Sequence, residues 1–219
     1  VPVPPVFLMP DEQGINAFAA GYSPSDAVIG VTRGCAEQLT REELQGVIAH
    51  EFSHILNGDM RLNIRLIGVL HGILLLGLIG HMLFRVAAHS GHSRSKDNNG
   101  AMFLLLAGVV LLILGYAGLV MGNLIKAAVS RQREFLADAS AVQFTRNPRG
   151  IAGALKRIGA LVFGSVLKHR NAAENSHMYF SQGVKVGLTS LLATHPPLPQ
   201  RIRALDPHWD GNFPKIPAA

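Results

Sequence analysis

His50-Glu51-Phe52-Ser53-His54 is the stretch of this chain whose residue types and spacing define a chemistry. Residues four apart on a helix project from one face, a turn apart, so two imidazoles at this spacing can share one ion. Glu51 follows the first imidazole and points to the side where ion-bound water would lie. It can take that water's proton as the ion depresses the water's pKa. The bland alternative is a helix with two solvated histidines, and the apolar neighbours Val47, Ile48, Phe52, Ile55 and Leu56 argue against solvation.

A catalytic zinc site commonly takes three protein ligands and leaves one position for water, so a third donor is expected elsewhere in the chain. Glu134 is the best candidate, in Arg133-Glu134-Phe135-Leu136-Ala137-Asp138, where Glu134 and Asp138 share a helix face. One carboxylate can bind the ion while the other accepts a hydrogen bond from a ligand histidine and fixes its tautomer. Alone, this pair reads rather as a solvated acidic face on a helix that also holds Arg131 and Arg133. A hairpin between the two half-sites would bring its roots, and so both half-sites, together. One zinc ion is the expected cofactor, although two histidines and a carboxylate also suit manganese or cobalt.

The elements that must position these groups are legible in outline. Thr40, with Glu43 three residues later, reads as a capping box ahead of Leu44, Val47, Ile48, Phe52 and Ile55 at helical spacing, so a helix carries His50 through His54. From Val6 to Thr32, short apolar runs broken by Pro10, Gly14, Gly21, Pro24 and Gly30 predict two or three short strands. Leu66 to Phe84 and Ala101 to Met121 are each close to the roughly 20 apolar residues that cross a bilayer. The polar stretch Arg85 to Gly100 separates them, and the pair reads as a transmembrane hairpin rather than two buried core helices. A further helix is expected over Asn123 to Phe144, another over Pro148 to Leu167, and a proline-rich extended or turn-like tail from His195. The fold class is thus mainly α with a small N-terminal β-sheet (α+β), divided into residues 1–63, a hairpin at 64–122, and residues 123–219.

Composition sets the outer limits. A hydrophobic content of 48% and a mean hydropathy of +0.27 are high for a soluble chain of 219 residues. The net charge of +6 is not gathered into a basic run interleaved with aromatics, so nucleic acid is not an expected partner. Cys35 is the single cysteine, which excludes an intrachain disulfide, gives no support to a thiolate zinc site or an oxidising compartment, and leans towards a cytoplasmic active site. Arg61, Arg65, Lys126, Arg131 and Arg133 flank the hairpin on the catalytic side, against Arg85, Arg94 and Lys96 in its loop, which votes the same way. Val1-Pro2-Val3-Pro4-Pro5 at the start, with no initiator methionine, reads as the beginning of an excised fragment.

With these residues in place, the chain resembles the HtpX-like membrane metallopeptidases, gluzincins related to the CaaX prenyl proteases. The resemblance rests on Asn16-Ala17-Phe18-Ala19, His50 to His54, the long hairpin, Glu134 with Asp138, and Thr194-His195-Pro196 followed by Arg201-Ile202. It implies zinc on His50, His54 and Glu134, Glu51 as general base, Asp138 orienting a ligand histidine, and cleavage of membrane-associated or unfolded proteins at a bacterial-type inner membrane. It also implies His195 near the cleft as an oxyanion donor, a role that competes with that of a turn histidine stiffened by Pro196 and Pro197. Arg201 is expected to pair with an acidic group in the core. The segment at Asn16, Ala17 and Phe18 would offer its backbone to a substrate strand, with the Phe18 ring in the sheet core.

About eighty residues separate His54 from Glu134, more than in soluble gluzincins, and the hairpin accounts for the excess. His71 is left undecided and His81 is read as interfacial, while His89, His92, His169, His177 and His208 are expected to be solvated. Two other function classes compete with a peptidase. One is a catalytically silent, zinc-stabilised membrane scaffold or adaptor. The other, an ion transporter, needs more spans with polar residues at mid-bilayer than the two visible here.

Overall fold

The computed structural model describes residues 2–90, 98–161 and 193–214. Its sheet grows from the short apolar runs near the start: β1 (Val6–Met9), β2 (Ala17–Ala20) and β3 (Val28–Thr32), in spatial order β1-β3-β2. β1 runs parallel and β2 antiparallel to the central strand, with Ala17 opposite Val31 and Phe18 opposite Gly30. The two-residue period sends Ala17, Ala19, Ile29 and Val31 into the core. Phe18 covers Gly30, whose missing side chain makes room for the ring. Thr32 then caps a short helix, α1 (Arg33–Gln38), by accepting a hydrogen bond from the Cys35 backbone, and this helix lies outside the sequence expectation.

α2 (Arg41–Asn57) starts at the expected capping box, with the Thr40 side chain and the Glu43 side chain each bonded to the other's backbone N–H. It ends at Gly58, whose φ of 69° closes the last turn in the left-handed region that glycine enters without strain. Halfway along, Gly46 lets the helix backbone meet that of α5 (Pro148–Ala160): a Cβ there would lie 2.7 Å from Ile151 N. Gly46→Val is therefore expected to cost about 1–3 kcal/mol by overpacking, read as a lower thermal midpoint of purified protein. An unchanged midpoint would show that the crossing yields easily.

Three sequence expectations are corrected. The apolar segment from Ala101 and the helix expected from Asn123 are one element, α4 (Asn98–Thr145), because no proline interrupts the run and Gly122-Asn123 is tolerated within a helix. α3 (Asp59–Ser90) likewise extends into the stretch expected as loop. The tail is not wholly extended: α6 (Leu198–Leu205) follows Pro197 and holds Pro199 in its first turn, where a missing N–H costs nothing. The end of the helix expected to reach Leu167 lies outside the described residues, and α5 is seen to Ala160.

The chain forms two compact units, residues 1–62 with 127–219, and residues 63–126. The first has its core in Ile15, Ile29, Val47, Ile55, Ile151, Leu155 and Ile202. In the second, α3 and α4 carry Leu75, Leu78, Ile79, Val110, Ile113 and Leu114 exposed. Both helices are long and apolar enough to cross a membrane, with mean hydropathies of 2.1 and 2.6, and protein covers only 11% of each apolar window. Such uncovered all-round apolarity suits a lipid environment better than an aqueous one.

Candidate active site

α2 presents His50 and His54 one turn apart, with their rings edge to face at 4.8 Å between centroids. His50 Nδ1 lies 2.9 Å from Asp138 Oδ1, and His54 Nδ1 lies 2.8 Å from Asp59 Oδ2. Ionised carboxylates only accept, so each Nδ1 carries a hydrogen, and a neutral ring then turns the lone pair of its Nε2 inward. The two Nε2 atoms face each other at 3.1 Å. Glu134 closes the third side, with Oε2 3.7 Å from His50 Nε2 and Oε1 3.6 Å from His54 Nε2. Two lone pairs and a carboxylate aimed at one point are satisfied together by a cation. Donor atoms of all three residues lie within 4.8 Å of one another, so the residues present fit a metal ion.

The charges around that point favour a cation as well. Burial works against a charged His54, yet its bond to Asp59 and the nearby Glu134 and Glu51 carboxylates outweigh this and push its pKa up to about 9, so without a metal the ring holds a proton on Nε2, where a bound ion would replace it. Burial alone would raise the Glu134 carboxyl, but His195 and Arg201 hold it well below the usual carboxylate range. His195 Nδ1 is 3.0 Å and Arg201 Nη1 3.1 Å from Glu134 Oε2. The fully buried Arg201 also forks onto Asp138, Nε to Oδ2 at 2.8 Å and Nη2 to Oδ1 at 2.6 Å, a bidentate pairing that only a guanidinium makes. The acidic partner expected for Arg201 is thus a pair of carboxylates one helical turn apart on α4.

Glu51 is completely buried beside the donor set. Apart from the Ala19 backbone N–H, neither of its carboxylate oxygens has a hydrogen-bond donor among the described residues. Burial pushes its pKa up to about 8. Ala19 belongs to β2, which among the described residues has a neighbouring strand on one side only. Asn16 bonds Thr32 of β3 through its backbone in both directions, to the side-chain oxygen and from the backbone N–H. By the alternation of an antiparallel ladder, Phe18 also faces β3, while Ala17 and Ala19 face away from it, the Ala17 N–H donating to Asn16 Oδ1 at 3.0 Å and the Ala19 N–H to Glu51, so that their carbonyls are what the outer edge offers.

His50, Glu51, His54, Glu134, Asp138, His195 and Arg201 are therefore brought together in one unit, with Ala17 and Phe18 on the strand beside them and Asn16 just before it. His71, His81, His89 and His208 are exposed, and the Nδ1 of His71 and of His89 turns back to a carbonyl of its own helix. His92, His169 and His177 lie outside the described residues. Sequence reasoning missed Asp59 and its partner Arg133, which grips the other oxygen of the Asp59 carboxylate. The available signal was Gly58: a left-handed helix stop ends the helical register, and the next side chain turns back to His54.

A His-Glu-x-x-His helix closed by a carboxylate from a later helix is the arrangement of the gluzincin class of metallopeptidases. The chain belongs to peptidase family M48, whose model matches residues 1–208. It is similar to proteins named Protease HtpX homolog. That of Dictyoglomus thermophilum is 38% identical over 205 residues, covering 94% of this chain and 63% of the relative. Those of Streptococcus uberis and Ligilactobacillus salivarius are 35% and 38% identical, again over 94% of this chain and over 67% and 68% of the relatives. The chain thus spans about two thirds of the length of these relatives. No solved structure matches it significantly.

Proposed function

We propose that the chain is the catalytic part of a membrane-anchored, zinc-dependent endopeptidase. The observation that carries this reading is the convergence of His50 Nε2, His54 Nε2 and the Glu134 carboxylate on one point, with the Glu51 carboxylate buried alongside. His50, His54 and Glu134 hold the ion, which supplies Lewis acidity to the site. Glu51 takes a proton from the attacking water on a carboxylate oxygen and hands it to the departing amine nitrogen. Burial, which penalises its charged form, helps it hold that proton in between.

An extended substrate adds to the outer edge of β2 through the backbone carbonyls of Ala17 and Ala19, next to Glu51. That places the hydrogen-bonding edge one residue out of step with Asn16 and Phe18, which face β3. His195 already directs Nδ1 at Glu134, so its Nε2 is the nitrogen assigned to the oxyanion that develops on the attacked carbonyl. Asp138 keeps His50 in the ligating tautomer. Residues 64–122 anchor the chain in lipid, with residues 1–63 and 123–219 forming the peptidase domain on the cytoplasmic side of a bacterial-type inner membrane. Substrates are membrane-associated or unfolded proteins, consistent with a part in membrane-protein quality control. The relatives' name supports proteolysis.

Purified in detergent, the chain is expected to lose cleavage of an unfolded protein such as casein on chelation and to recover it with zinc. Folded, zinc-loaded protein that cuts neither casein nor any other unfolded chain would instead favour a silent scaffold.

A further inference from the structure

We infer that Asp59 and Arg133 form the positioning arm of the second histidine: Asp59 orients His54 towards the metal, and Arg133 holds Asp59 in place. The inference rests on the metal-site reading above and assigns a role to two residues outside its ligand set. Asp59 is the first residue of α3, where an acidic side chain ordinarily stays in water and gains from the helix dipole. Here it is buried and spends both oxygens inward, one accepting from His54 Nδ1 at 2.8 Å and the other from Arg133 Nη1. A buried carboxylate with a complete set of charged partners, placed one atom away from a ligating ring, is built to fix that ring.

The arm on the other histidine follows the same plan. His50 donates to Asp138, and Asp138 is gripped by Arg201. Each histidine thus has its own carboxylate, and each carboxylate its own guanidinium. The two arms differ in origin: Asp138 lies on the helix of Glu134, whereas Asp59 reaches His54 across the left-handed cap at Gly58 that separates α2 from α3. Arg133 precedes Glu134 in sequence, so α4 supplies both the third donor and the group that holds the orienter of His54. Without Asp59 nothing at Nδ1 selects the tautomer, and the His54 ring can put an N–H where the ion needs a lone pair. Loss of such a partner typically weakens metal binding about 10–100-fold.

The rival account makes Asp59–Arg133 a plain structural ion pair, which would change folding and leave metal affinity alone. The test uses the full chain in detergent, with zinc affinity from chelator competition, the visible spectrum of the cobalt-substituted protein, and the thermal midpoint of the metal-free form. Asp59→Asn is expected to weaken zinc about tenfold and Asp59→Ala up to about a hundredfold, each with an altered cobalt spectrum. Arg133→Met should show a smaller loss in the same direction. The double variant Asp59→Ala with Arg133→Met should bind no worse than Asp59→Ala alone, because Arg133 acts through Asp59. If Asp59→Ala does not fold, Asp59→Leu, which keeps the side-chain size but accepts no hydrogen bond, decides the matter. Wild-type zinc affinity and cobalt spectrum in Asp59→Ala or Asp59→Leu would overturn the inference whatever happens to the midpoint. Wild type that takes up no zinc would overturn the metal-site reading itself, which keeps the two failures distinct.

Discussion

Glu51→Gln is expected to reduce cleavage of casein by about a hundred- to ten-thousandfold while leaving zinc uptake near that of the wild type. The amide has the shape of the carboxylate and can still accept from the Ala19 backbone N–H, but it has no basic oxygen to take a proton from water. It is not one of the three groups that converge through ligating atoms, so the metal site should survive its replacement. The metal-free variant should also be at least as stable as the parent. The wild-type residue places an ionisable carboxylate in complete burial with little compensation, and a neutral amide is cheaper to bury there. Turnover, metal content and thermal midpoint therefore move in different directions, a pattern that simple misfolding does not reproduce. A variant that cuts at the wild-type rate would remove Glu51 as the base. One that loses zinc along with activity would move it into the metal's own support.

The unequal legibility of this site follows from the range of the interactions that build it. His50, Glu51 and His54 declare themselves because a helical turn is a local object, and the Thr40–Glu43 capping box marks where that helix starts. Glu134 is found only by supposing that two long apolar segments return the chain to its origin, a supposition about topology that the segments' length supports. Asp59 escapes because its function depends on one left-handed residue, Gly58, which breaks the helical register that would otherwise point it away from His54. α6 escapes for a related reason: three prolines within Pro196 to Pro199 look like a structureless tail, although proline before or within a first turn is a helix start. That helix carries Arg201, so misreading the tail hides why an arginine can be buried there at all. The outer edge of β2 shows a different limit, since the one-residue shift between Phe18 and Ala19 depends on which strand pairs with which.

Arg201→Ala is expected to destabilise the folded protein strongly. The guanidinium is fully buried and neutralises two carboxylates, Asp138 through two short bonds and Glu134 through a third at 3.1 Å. Taking it away leaves two buried acids a turn apart on α4, with histidines as their remaining partners. Breaking a buried ion pair from one side costs about 3–5 kcal/mol, because the stranded charge keeps its desolvation penalty and loses its compensation. For a chain of this size that corresponds to a fall of about 10 °C or more in thermal midpoint. Arg201→Lys restores the charge but not the fork, since one ammonium cannot span Asp138 and Glu134 with the same three bonds, and so should recover only part of the loss. The metal adds a second diagnostic. A bound cation would itself compensate Glu134, so zinc should stabilise the Arg201→Ala protein by more than it stabilises the wild type. An unchanged midpoint in Arg201→Ala would mean that the two acids are protonated or wetted in the folded protein. Equal stabilisation by zinc in both proteins would mean instead that Glu134 does not feel the ion, and the third ligand would have to be sought elsewhere.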